Sequence, residues 1–165
     1  MCHSKQLVKV AMPMLILLPL LLLCYGVGNI HCSTVHDNSG DLKALLDFRQ
    51  GIPSDPYGAM SNWTMNSHFC RWNGITCTWT RRQWRVLSLT LTGKGLSGQI
   101  SSSLGNLTFL NYLDLSDNNF FGPLPLLGGL HQLQNLYLYS NNLSGNIPDA
   151  LTNCSNLIDL DISFN

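Results

Sequence analysis

Two stretches decide how this chain folds: Leu113-Asp-Leu-Ser-Asp-Asn-Asn-Phe-Phe-Gly-Pro-Leu-Pro125 and Leu136-Tyr-Leu-Tyr-Ser-Asn-Asn-Leu-Ser-Gly-Asn-Ile-Pro148. Laid over one another they share a Leu-x-Leu opening, an Asn, a Gly and a closing Pro. Outward from them the columns continue. Leu89, Leu113, Leu136 and Leu160 lie 24, 23 and 24 residues apart, each followed two positions later by Leu91, Leu115, Leu138 or Ile162. Leu96, Phe120 and Leu143 form another column, as do Gly98, Gly122 and Gly145, and Ile100, Leu124 and Ile147. Between them fall Leu104, Leu127 and Leu151; Leu107, Leu130 and Cys154; Leu110, Leu133 and Leu157. The 31 Leu and 16 Asn among 165 residues are the compositional trace of this repetition.

Each unit runs from a short Leu-x-Leu segment through a polar turn to an apolar return path. That order matches the leucine-rich repeat signature, whose period is roughly 20 to 29 residues. The physical reading is a coil that contributes one strand per turn and points its leucines inward. One turn cannot bury its apolar face alone, whereas stacked turns pair their strands into a parallel sheet and merge their leucines into one core. Asn118, Asn141 and Asn165 recur at the turn, where an amide can satisfy backbone groups left inside. Lys94 holds that position in the first unit, so the asparagine ladder is expected from the second turn onward. The expected fold is α/β: a right-handed solenoid with parallel strands on its concave face.

The two stretches resemble the plant-specific class of leucine-rich repeat, in which Asn-x-Leu-x-Gly-x-Ile-Pro follows the strand. Upstream, Asp41-Leu-Lys-Ala-Leu-Leu-Asp-Phe-Arg49, Trp63 and Cys70-Arg-Trp-Asn-Gly-Ile-Thr-Cys77 resemble the N-terminal cap of plant leucine-rich repeat receptor-like kinases. The likeness covers Asp41 to Asn165, with Lys94 in place of Asn and Ser101 in place of Pro as departures. It implies an ectodomain that senses peptides or microbial patterns outside the cell, with a leucine-rich repeat co-receptor as a further partner. A secreted inhibitor of cell-wall pectin-degrading enzymes shares the repeat class and is the alternative. A non-functional truncation is a third reading, because the chain stops at Asn165 within a turn.

Residues 33–85 form the expected cap and residues 86–165 about three and a half repeats. In the cap, Leu42, Leu45, Leu46 and Phe48 fall mostly on one helical face, Ser39 or Asp41 can serve as N-cap, and Gly51 stops the helix. Trp63, Trp72 and Trp79 are its expected core aromatics. Before residue 33, Lys5 and Lys9 precede an apolar run from Val10 to Cys24, the layout of a secretory signal peptide. The run has 15 residues, includes Pro13 and Pro19, and is short of the roughly 20 a membrane span needs. Cleavage is expected between Gly28 and Cys32, leaving no span and placing the product in the apoplast or on the outer face of the plasma membrane.

An oxidising destination makes Cys70 and Cys77 the natural disulfide. A metal site recruiting His68 would lack ligand number and spacing. Four Asn-x-Ser/Thr tripeptides, at Asn62, Asn106, Asn142 and Asn153, are candidate glycosylation sites. Charged residues make up 11% of the chain, nine Lys/Arg against nine Asp with no Glu, so no global field attracts nucleic acid.

Other motifs are absorbed by the repeat. Gly93-Lys-Gly-Leu-Ser-Gly98 spells a dinucleotide-binding turn, yet Gly98 belongs to the repeat glycine column, and no cofactor is expected. Arg81, Arg82 and Arg85 with Trp84 read as a solvated loop, Cys154 as a small core residue. His131 falls on the return path, away from the strand aspartates, so no enzyme is expected. What remains is a surface. Beside the leucines, Tyr112, Asp114 and Ser116, then Asn135, Tyr137 and Tyr139, then Asp159, Asp161 and Ser163 are expected on the concave face. Residues 86–165 hold one Lys against five Asp. An acidic, tyrosine-rich strip suits recognition of a peptide or protein.

Overall fold

The computed structural model describes residues 39–165. The segment read as a signal peptide, with Cys2, Cys24 and Cys32, lies outside the described residues. Among the described residues the first element is helix α1, Ser39–Gln50. Asp41, Ala44, Leu45 and Phe48 share one face at helical spacing, and all four are buried. Gly51 ends the helix, its N–H bonding back to the carbonyls of Asp47 and Phe48. The Phe48 ring lies 6.2 Å from both Trp63 and Phe120, which ties the helix to the cap and to the repeats at once. Trp63 stacks on Trp72 at 5.2 Å, and its indole N–H is satisfied by the Asn73 carbonyl at 2.9 Å.

Strands β1 (Ile75–Thr80) and β2 (Gln83–Thr90) form an antiparallel hairpin. The Cys70–Cys77 disulfide, with Cα atoms 5.6 Å apart, ties β1 to the short 3-10 turn Phe69–Arg71. An irregularity at Thr76/Cys77 leaves Leu87 unpaired in β2. It resolves a parity problem: Val86 and Leu89, three apart, both point into the core, which an unbroken strand with period two forbids.

Along the chain follow β3 (Ser97–Gly98), β4 (Tyr112–Asp114), β5 (Asn119–Pro123), β6 (Asn135–Tyr137), β7 (Asn142–Ser144) and β8 (Asp159–Asp161). One sheet has the order β1-β2-β4-β6-β8, parallel from β2 onward; a second has the order β3-β5-β7. In the first sheet Leu89, Leu113, Leu136 and Leu160 are direct neighbours in register, the column expected from their spacing. Return paths contain the 3-10 helices Ser102–Asn106 and Asp149–Asn153, and bring Leu104, Leu127 and Leu151 against the strands. Each fully buried Leu contributes roughly 2 kcal/mol relative to exposure. Leu160 is half-exposed, because β8 is the last strand of its sheet.

The turn after each strand repeats as closely as the leucines. Gly93, Asp117, Ser140 and Phe164 stand in one column and all take left-handed backbone, with φ of 65°, 54°, 56° and 54°. After Asp117, Ser140 and Phe164 that bend aims the following asparagine amide at the backbone of the coil, whereas Lys94, after Gly93, is exposed. Asn118 Oδ1 accepts the N–H of Lys94 and of Leu96, while Nδ2 donates to the carbonyls of Leu91, Leu115 and Ser116. Asn141 repeats this one coil later, accepting from Phe120 and donating to Leu115, Leu138 and Tyr139. Asn165 binds Leu143 N–H and the Leu138 carbonyl in turn. Each amide therefore fastens its own coil to the one before. Gly98 marks a close approach: a Cβ there would lie 2.2 Å from the Gly51 carbonyl oxygen at the end of α1. Among the described residues no helix is long and apolar enough to cross a membrane.

Candidate functional site

Parallel pairing turns the residues beside the leucines into rows. Tyr112, Asn135 and Asp159 are register neighbours, and so are Asp114, Tyr137 and Asp161. Strand alternation puts both rows on the face opposite the core. Tyr112 and Tyr137 meet edge to face with ring centroids 5.6 Å apart. Asn135 Nδ2 donates to Asp159 Oδ2 at 2.9 Å and lies 3.3 Å from the Tyr137 hydroxyl. Desolvation, followed by the Asp114 charge, pushes the Tyr112 phenol above its ordinary pKa, so it stays a hydrogen-bond donor. Tyr139 is half-buried two residues past the end of β6.

Ser116 departs from the expectation. It is fully buried, and both its N–H and its hydroxyl donate to Asp114 Oδ1, at 3.0 and 2.6 Å. A short hydroxyl next to a strand carboxylate folds back onto it instead of facing outward. Ser163 and Asp161 repeat the same pair two coils on, at 2.9 and 2.6 Å. Each serine holds one carboxylate oxygen, aiming the aspartate without occupying the other oxygen. Sequence reasoning missed the start of the rows: Ser88 pairs with Tyr112 and Thr90 with Asp114, so both extend onto β2. The signal was available, since Ser88 and Thr90 flank Leu89 as Tyr112 and Asp114 flank Leu113.

The basic cluster also divides. Arg85 is buried, with its guanidinium held by the Asp41 carboxylate and by Thr108 Oγ1, and its Cζ 4.3 Å from the Phe109 ring centre. It is not a solvated loop residue, and Asp41 is not a helix cap but the anchor of this pair. Trp79 is 54% exposed and not in the cap core, while Trp63 and Trp72 are buried. Arg81 and Arg82 are exposed at the β1–β2 turn, with φ of 49° and 64°. Left-handed backbone costs a non-glycine residue roughly 1 to 2 kcal/mol.

The other singled-out residues lie away from the concave rows. His131 is exposed, with Nδ1 3.3 Å from the Asn153 carbonyl. Cys154 is buried and free, and desolvation raises its thiol pKa. Asn106, Asn142 and Asn153 are exposed. Asn62 is engaged: Nδ2 donates to the Arg71 carbonyl and to Asn73 Oδ1, and Oδ1 accepts the Asn73 N–H.

Residues 38–78 match the family described as leucine rich repeat N-terminal domain, and residues 109–130 and 132–154 match the leucine rich repeat. The LRR receptor-like serine/threonine-protein kinase GSO2 of Arabidopsis thaliana is 36% identical over 149 residues, 86% of this chain and 11% of that protein. The chain belongs to the leucine-rich repeat receptor family of plants. A second relative, the LRR receptor-like serine/threonine-protein kinase EFR of Arabidopsis thaliana, is 43% identical over 99 residues, 59% of this chain and 9% of that protein. The chain thus spans about a tenth of the length of these curated relatives. Among solved structures, PEPR1–AtPEP1 superposes with a TM-score of 0.70 at 35% identity, over 76% of this chain and 18% of that one. The Arabidopsis receptor kinase HAESA, solved with the peptide hormone IDA and the co-receptor SERK1, gives 0.68 at 34% identity, over 77% and 22%. Cap and coils of this plant leucine-rich repeat chain therefore have the architecture of receptor ectodomains.

Proposed function

We propose that this chain is the ligand-sensing part of a plant leucine-rich repeat receptor, working outside the cell and recognising a peptide or protein on its concave face. The observation that carries the reading is the pair of in-register rows, Ser88-Tyr112-Asn135-Asp159 and Thr90-Asp114-Tyr137-Asp161. Tyrosines supply contact area with few rotors to freeze. Carboxylates favour Arg, Lys and hydroxyl groups in the partner, and residues 86–165 carry net charge −4 to steer them. The architecture shared with HAESA, which is solved with a peptide hormone, supports a peptide as the partner class and a second leucine-rich repeat chain as co-receptor. The role is recognition, with no catalytic step of its own.

The full chain, secreted from a eukaryotic host, tests this against an array of synthetic peptides of equal length with zero, one or two Arg or Lys residues. Retention should grow with positive charge, and fall at least tenfold in an Asp114→Asn, Asp161→Asn double variant and in Tyr137→Ala. Retention indifferent to all these substitutions overturns the concave-face reading.

A further inference from the structure

The tip of the β1–β2 hairpin has a chemistry that neither the core nor the concave rows use. Trp79 and Trp84 stand directly opposite in the ladder, with ring centroids 5.2 Å apart and planes at 64°. Ile75, Cys77 and Trp79 alternate onto one face of β1, so the face that buries Ile75 carries the indole beyond the edge of the core. There Trp84 is 37% exposed beside the more exposed Trp79. The pairing of β2 with β4 begins only at Ser88, so the tip overhangs the parallel ladder.

Between the two indoles, Arg81 and Arg82 fill both central positions of a two-residue turn with positive φ. Such turns strongly favour Asn-Gly, and arginine gains nothing locally from that backbone. Neither guanidinium meets a carboxylate among the described residues. Residues held in costly conformations and pointing at solvent fit a binding role better than a folding one.

We propose that this hairpin tip binds an acidic polysaccharide, with Trp79 and Trp84 stacking on the C–H faces of uronate rings and Arg81 and Arg82 pairing with their carboxylates. Indole faces accept apolar ring faces, and the planar guanidinium fork matches a carboxylate. Charge separation in the chain favours the same end: residues 33–85 hold six Lys/Arg against four Asp, while residues 86–165 are acidic. A polyanion is repelled by the concave rows and drawn to the cap. An anionic membrane surface is read by clusters of roughly four to eight basic residues, and the tip offers two. An extended peptide needs a groove or a free strand edge; β1 is the edge strand of its sheet, but Arg81 and Arg82 lie past its end at Thr80, in the turn.

The test uses the full secreted chain and an oligogalacturonate of about ten units, followed by tryptophan fluorescence at low salt, where charge pairing is least screened. Saturable quenching is expected, weakened at least tenfold by methyl-esterifying the oligomer, by Trp79→Ala, and by the Arg81→Asn, Arg82→Gly pair. That pair installs the residues the turn prefers, so its Tm should equal or exceed that of the parent, which separates lost binding from lost folding. The concave Tyr137→Ala variant, which removes no charge, should bind the oligomer as the parent does while losing peptide retention, keeping this result independent of the peptide reading. Absence of saturable quenching, or unchanged binding by the Arg81→Asn, Arg82→Gly pair, overturns the proposal. So does binding to phosphatidylserine-containing vesicles without binding to the oligomer.

Discussion

Asp41 in the first turn of α1 and Arg85 in β2, 44 residues apart in the chain, are joined by two hydrogen bonds of 3.0 Å. The Asp41 carboxylate also accepts the Val86 N–H at 2.8 Å, so the helix is fastened to the strand backbone as well as to the side chain. This buried pair closes the amino-terminal end of the solenoid.

Removing one partner leaves the other charge buried without compensation. Asp41→Ala should therefore destabilise the chain by about 3 kcal/mol, measured from urea unfolding. The Asp41→Ala, Arg85→Leu double variant should recover part of that loss. A single variant as stable as the parent contradicts the anchoring role.

The ladder makes a second prediction. Asn141→Ala would strip the Phe120 N–H of its acceptor, while the carbonyls of Leu115, Leu138 and Tyr139 each lose one donor and keep another, from Asn118, Asn165 and the Asp117 N–H. A loss of about 2 kcal/mol is expected, given about 1 to 3 kcal/mol for a buried group left unsatisfied. Lys94→Ala, in the same column of the first coil but exposed, should change stability little. Equal unfolding midpoints for the two variants would contradict the ladder.

Among the four sequons, Asn106, Asn142 and Asn153 are expected to carry glycans and Asn62 is not. Both Asn62 amide protons are engaged inside the cap, and attaching a sugar would replace one of them. Peptide mass spectrometry after enzymatic deglycosylation checks this by the mass change at each Asn. A glycan at Asn62 at high occupancy contradicts the cap geometry.

The fourth prediction concerns pH. Hydrogen bonds from the Ser163 hydroxyl and N–H hold the Asp161 carboxyl below its ordinary pKa, against a smaller opposing effect of desolvation. A lowered folded pKa stabilises the ionised form, so the interaction is fully present above the ordinary carboxylate value and is lost as pH falls through the lowered one. Asp161 should therefore keep its charge throughout the mildly acidic range. In Ser163→Ala, the titration of the Asp161 carboxyl carbon followed by NMR should move up toward the ordinary value. An unmoved titration contradicts the role assigned to Ser163.

The sequence by itself determined the solenoid, because the repeat is a one-dimensional code: residues one period apart become neighbours whatever the rest of the chain does. Leu113, Leu136 and Leu160 could be aligned by counting, and the outward Tyr and Asp positions followed from strand alternation. Only the tertiary structure decided what depends on unrelated segments meeting. Nothing in the spacing of Asp41 and Arg85 announces a pair, since the first lies in the cap helix and the second in the first strand. Ser116 fell on the expected outward side but turned back onto Asp114, a choice made by a local hydrogen bond and invisible to a period of two. Trp79 looks like a core aromatic in a list of residues, and Trp84 like part of a solvated loop. The hairpin carries them past the edge of the core, and burial is settled by where the neighbouring coil ends.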